Sequence, residues 1–215
     1  MKYLLCKEFR LVMHPVLPFF LLLSAMLLIP SYPFYVVFFY TLLGIFFSCL
    51  GGRENHDIDF TLSLPIRKRS AVSARFLFAV IVEMAQLLLA IVFMLLRNAL
   101  KIGPNLAGMD ANIAFLGLSL MLLGIFNASF FRRYYAAPDK VGKAFVFSSI
   151  IGFLAILLLE IGAHALPFMR NTLDTPDPQF LPEKILILLL GIFCYASLTF
   201  LSWRRSIKTF EQLDL

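Results

Sequence analysis

Residues 54–76, ENHDIDFTLSLPIRKRSAVSARF, interrupt a chain that otherwise reads as hydrocarbon. Before them runs FFLLLSAMLLI (19–29); after them come LFAVIV (77–82) and LLLAIVFMLL (87–96). The interruption holds acids, a histidine, a proline stop and a basic run. Around it, 60% of the 215 residues are hydrophobic and 24 are Phe, too little polar surface for a soluble domain of this length. The mean hydropathy is +0.87. The long runs are apolar all round, without a helical stripe, as lipid-facing helices are. Helices satisfy their own backbone groups in lipid, and no alternating strand pattern is present. The fold class is therefore all-α and polytopic, a membrane protein in one domain.

A helix crosses about 30 Å of hydrocarbon in roughly 20 residues. Six spans are expected, at about 13–29, 34–50, 76–96, 112–131, 144–166 and 184–202. The stretch PSYP (30–33) is a turn between the first two. All but four of the 19 Lys and Arg then fall on one side: Lys2, Lys7 and Arg10, the 51–75 segment, the RRYYAAPDKVGK loop (132–143), and Arg204, Arg205 and Lys208. Arg97, Lys101, Arg170 and Lys184 are on the other. The positive-inside bias makes both termini cytoplasmic and accounts for the net charge of +6 without a nucleic-acid partner. Leu5, Phe9 and Val12 recur at i, i+4, i+7 in residues 1–12, which suits a short helix in the membrane interface as well as it suits a plain basic anchor.

The interruption lies on the cytoplasmic side. Gly51 and Gly52 let the chain leave the membrane, Asn55 is the expected N-cap, and Asp57 and Asp59 favour the positive end of a helix. Pro65 ends it, because the residue before proline is pushed out of helical geometry. Within this short helix Ile58 and Leu62 share a face, while Phe60 and Leu64 share a nearly opposite one. A helix apolar on two faces outside the bilayer is expected to rest one on its own bundle and offer the other to a partner. The bland alternative packs it on its own bundle alone.

On these residues the chain resembles the permease subunits of bacterial type-2 ABC exporters, most closely the small group with an SLPISR…V…RY-like loop after the second span. PIRKR stands here where that group more often has PISR; the proline and a base remain. The resemblance implies that 54–64 is the coupling helix, docked in a groove of a separate ATPase subunit, and that 63–75 returns to the third span. Glu54, Asp57, Ile58, Phe60, Leu62, Leu64, Pro65 and Arg67 are the implied coupling residues. It also implies two permease subunits, identical or sister, over two ATPases in a bacterial plasma membrane. The implied cargo is an amphipathic or antimicrobial peptide or a hydrophobic compound.

Absences point the same way. No G-x-x-x-x-G-K-[ST] loop is present, so ATP and Mg are expected on the partner ATPase, with no cofactor and no catalytic residue in this chain. An intramembrane enzyme would need clustered chemistry at one depth, yet His14, His56 and His164 belong to different regions. A non-transporting immunity or scaffold protein would share the topology without needing a two-faced helix. Cys6, Cys49 and Cys194 show neither pairing nor metal spacing.

Inside the spans, Glu83 and Gln86 share a face of the third helix, and Asn127 falls at a similar depth, with Ser148 and Ser149 in the fifth. A carboxylate there costs roughly 2.5–3.5 kcal/mol on insertion scales, so it needs an interior position and a partner. One expectation is a polar patch on the translocation pathway; the other is helix–helix hydrogen bonding. Glu160 and His164, one turn apart near the outer end of the fifth span, are expected to bond to each other or line an outer gate, without a metal.

Overall fold

The computed structural model describes residues 1–213. Its helices are α1 (Lys2–Lys7), α2 (Leu17–Leu22), α3 (Tyr35–Glu54), α4 (Asp57–Ser63), α5 (Lys68–Ala99), α6 (Ile113–Tyr134), α7 (Val141–Ala165) and α8 (Leu181–Glu211), with no strand among the described residues. Five of them, α3 and α5–α8, are long and apolar enough to cross a membrane. The chain is an all-α, multi-pass membrane protein.

The first apolar run is built differently from the rest. From α1 the helix widens over Glu8–Val12 and then bends by 87° into α2, which tightens to a 3-10 helix over Leu23–Leu28. Pro15 denies His14 helical geometry and sets the bend; Pro18 lies in the first turn of α2. The Leu17–Leu28 helix rises only about 20 Å, short of a full hydrocarbon crossing. A sixth span therefore exists only if this bent pair is counted as one.

α6 is the central post. It is buried over 78% of its apolar stretch, against 11% for α7. α8 lies along it at backbone contact: a Cβ on Gly117 would sit 2.6 Å from the Ile187 carbonyl oxygen, and one on Gly191 would overlap the Gly117 carbonyl. Small residues allow this approach, and dispersion and interhelical bonds then hold the helices together. The phenylalanines fill the remainder. Phe115 meets Phe34, Tyr35 and Phe38, and on α6 the rings of Phe126, Phe130 and Tyr134 stack at i, i+4, i+8 with centroids 5.1 and 5.8 Å apart.

Both chain ends lie at the same end of the bundle: Lys68 Nζ donates to the Leu213 carbonyl at 2.6 Å, and α1 touches α4. The opposite end is capped by bonded loops. Leu106 N donates to Pro30 O, Asp110 N to Asp174 Oδ1, and Asn112 Nδ2 to Leu173 O, each at 2.7 Å. Lys184, at the start of α8, is buried and donates to Thr175 O and Asp177 Oδ1.

Candidate coupling site

The polar interruption folds more tightly than expected. α3 does not stop at Gly51 and Gly52 but continues through both to Glu54, so Asn55 caps the end of α3 rather than the start of α4. His56 turns the chain with φ 51°, a left-handed position that His tolerates better than most residues. α4 therefore spans Asp57–Ser63, shorter than the expected 54–64, and Leu64 leaves the helix in extended geometry before Pro65. Glu54 belongs to the second span's helix and pairs with Arg53 at 3.0 Å in the open.

Beneath α4 is a cluster of four charges. Arg75, on the first turns of α5, donates from Nε to Glu8 Oε2, from Nη2 to Asp57 Oδ2 at 2.7 Å, and from Nη1 to the Tyr134 hydroxyl at 3.1 Å. Lys7 Nζ donates to Asp57 Oδ1 and to Thr61 Oγ1, both at 2.7 Å, and lies 3.3 Å from Glu8 Oε1. The Arg75 and Glu8 side chains are 4% and 3% exposed. Two cations and two anions cancel. Burying such ions gives no assurance of net stability, but each depends on the others, since an unpaired charge here is severely unfavourable. The cluster joins four elements: the α1 segment (Lys7, Glu8), α4 (Asp57, Thr61), α5 (Arg75) and the end of α6 (Tyr134).

α4 carries its apolar residues as two faces. Ile58 and Leu62 pack against the core of the bundle. Phe60 and Leu64 are 57% and 40% exposed, and Arg67 is exposed beyond them. Beside α4 opens a cleft of about 340 Å³ between Gly52–Asp59 and the α6–α7 loop at Pro138 and Asp139. Arg53 reaches across it to the Asp139 carbonyl.

The arrangement is a short helix with an exposed apolar face, clamped from behind by charges. A family profile described as ABC-2 family transporter protein matches residues 3–211. The chain belongs to the ABC-2 transporter family. None of the curated proteins and none of the solved structures compared with it matches. An ABC-2 chain is the membrane component of a transporter, and family membership covers α1 through α8 rather than the loop alone.

The polar residues that the sequence singled out in this ABC-2 chain's spans do not gather in one place. Glu83, Asn127, Tyr195 and Thr199 form a buried knot joining α5, α6 and α8: Tyr195 donates to Glu83 Oε2 at 2.6 Å, and Asn127 Nδ2 lies 3.0 Å from Glu83 Oε2 and 3.1 Å from Thr199 Oγ1. Gln86 turns elsewhere and donates to Ser24 Oγ at 2.9 Å. Ser148 bonds back to the Ala144 carbonyl of its own helix, so it does not join Glu83. At the far end Glu160 Oε2 accepts from Met109 N at 3.1 Å, while His164 Nδ1 lies 2.8 Å from the Glu160 backbone carbonyl; the two side chains do not pair. No group of three or more metal-ligating residues occurs among the described residues.

The sequence reading missed Lys7, Glu8, Thr61, Arg75 and Tyr134. A signal existed for two of them. Val72, Phe76, Ala79 and Val82 are buried at helical spacing on α5, and Arg75 lies on that same face. Glu8 lies between Leu5 and Val12 on the inward face of the α1 segment.

Proposed function

We propose that this chain is the transmembrane subunit of an ATP-driven exporter in a bacterial plasma membrane, with both termini cytoplasmic. A separate ATPase subunit docks on Phe60, Leu64 and the cleft that reaches Pro138 and Asp139, and ATP and Mg are bound there. The observation that carries this reading is the two-sidedness of α4: an apolar face held open to water, with a charge cluster fixing its back to three other elements. Movement of the ATPase would displace α4, and the cluster would pass that displacement to α1, α5 and α6 as one body, rocking the bundle between two openings. A second permease subunit covers the exposed face of α7, where Glu160 and His164 lie in the outer half and are costly against lipid. The cargo is an amphipathic peptide or hydrophobic compound. The Glu83 knot holds α5, α6 and α8 together as they move.

Co-purification with a cognate ATPase tests the docking. Phe60→Asp with Leu64→Asp is expected to leave a monodisperse permease that no longer retains the ATPase. Ile58→Asp with Leu62→Asp is expected to lower thermal stability, because those side chains lie against the core. An ATPase retained at wild-type level by the Phe60/Leu64 variant would refute this docking face, and failure of the wild-type chain to retain any ATPase would favour a non-transporting role.

A further inference from the structure

A groove of about 440 Å³ opens sideways toward the membrane between α5 and α8. Its walls are Leu77 and Val80 on one side and Ala196 and Phe200 on the other. Its floor includes Tyr195 and Thr199, but Tyr195 gives its hydroxyl to Glu83 and Thr199 turns its oxygen toward Asn127, so both present carbon to the groove. Ser73 and Trp203 form the rim nearest the termini, locked by a 3.0 Å bond from the indole Nε1 to Ser73 Oγ. From Tyr195 to Trp203 the groove climbs about 12 Å, within the depth of one leaflet.

Two cations ride on that rim. The Arg69 guanidinium lies 5.7 Å from the Trp203 ring and that of Arg204 5.7 Å from the Phe200 ring, and the two rings are 5.5 Å apart. Neither arginine forms a salt bridge among the described residues, in contrast to Arg75. Cation–π contact holds such a guanidinium in place without neutralising it. An acyl-sized apolar channel therefore ends, at headgroup depth, in two positioned guanidinium groups without a salt bridge among the described residues, beside an interfacial tryptophan.

We infer that this groove is a binding site for one anionic phospholipid, its acyl chain lying along Leu77, Val80 and Ala196 and its phosphate meeting Arg69 and Arg204. A second copy of the chain is a poorer occupant: a symmetric contact through this face brings the same two cations against themselves. A cationic amphipathic peptide meets the same repulsion. The inference stands independently of the transport reading, because none of the groove's lining residues belongs to α4 or to the charge cluster behind it.

Trp203 is the chain's single tryptophan and thus a reporter at the rim. The protein is placed in nanodiscs containing equal fractions of acyl-brominated phosphatidylglycerol or acyl-brominated phosphatidylcholine, and quenching of Trp203 is compared. The anionic lipid is expected to be preferred by about fivefold for each arginine engaged. Arg69→Gln with Arg204→Gln should abolish the preference, while Arg69→Lys with Arg204→Lys should keep part of it. In wild type the preference should fall when salt is raised to about 0.5 M, which serves as the reading if the Gln variant fails to fold. Equal quenching by both lipids in wild type, or a preference that survives salt, overturns the assignment. Absence of quenching by either lipid overturns it too, since protein would then cover the groove.

Discussion

Replacing Arg75 by Gln removes one of two cations from the buried cluster and leaves Glu8 and Asp57 facing Lys7 alone. Breaking a buried pair by deleting one partner costs about 3–5 kcal/mol, because a charge is left uncompensated. The lower end applies here: Lys7 remains 2.7 Å from Asp57 and 3.3 Å from Glu8, so one anion stays paired. At about 2–4 °C per kcal/mol for a chain of this size, Arg75→Gln should lower the midpoint of thermal unfolding in detergent by roughly 6–12 °C. The companion Glu8→Gln/Arg75→Gln restores neutrality with the Lys7–Asp57 pair intact, and should recover more than half of that loss. Arg75→Lys should be intermediate, since a point ammonium cannot reach Glu8, Asp57 and Tyr134 together as the fork does. Size-exclusion chromatography of a fluorescent fusion after graded heating reads all four proteins. An Arg75→Gln midpoint within about 2 °C of wild type would refute the argument, as would a double variant no more stable than the single one.

The remaining predictions concern the bundle and the loop cap opposite its termini. Gly191→Ala places a methyl on the Gly117 carbonyl, a backbone atom that cannot yield, and should destabilise by about 1–3 kcal/mol; Gly51→Ala, whose methyl would meet nothing, should be neutral or stabilising by up to about 1 kcal/mol. Thermal unfolding of the two variants checks the pair, and equal losses would contradict the close α6–α8 crossing. Glu83→Gln should cost less than about 1 kcal/mol, because Asn127 Oδ1 has no partner and can turn to receive the new amide, whereas Glu83→Leu strands Tyr195 and Asn127 and should cost more. The same heating assay separates them, and a Gln variant as damaged as the Leu one would count against the knot. Burial raises the Asp174 carboxyl above its ordinary value of 3.8, against the bond it accepts from Asp110 N. With the folded value raised, its contribution is present below 3.8 and lost as pH rises through the folded value, so the loop cap opposite the termini should hold better in acid. Asp174→Asn should flatten this trend in unfolding midpoints taken across acidic pH; an unchanged slope would show that other groups set it.

Much of the architecture was legible because lipid leaves few options. A run apolar on all sides, long enough to cross and stopped by Pro or charge, is a spanning helix; α3 and α5 through α8 follow that rule. The first run was not legible in the same way. Leu17–Leu28 matches the others in composition, but Pro15 and Pro18 leave too little chain for a full α-helix, and the deficit goes into a bend and a 3-10 segment. The end of α3 was misplaced because glycine is weak in a helix but not forbidden there: with α4 and α5 packed nearby, even a Cβ at Gly52 would meet Asp57 and Arg75 only at ordinary van der Waals distance.

The candidate site was half legible, and the missing half is the instructive one. Periodicity placed Ile58 and Leu62 opposite Phe60 and Leu64, but a period carries no direction, so which pair faces the bundle could not be read from it. The charge cluster decides the direction. A seven-residue helix has too few internal bonds to hold its own position. What fixes α4 is Asp57 and Thr61, one turn apart on a single face, bound to Arg75 and Lys7. With that face turned inward, Ile58 and Leu62 go to the core with it and Phe60 is left in water. Charges that counted toward the positive-inside bias in the sequence thus determine where an apolar surface is shown, and Arg75, buried behind α4, fixes which face of α4 is left in water.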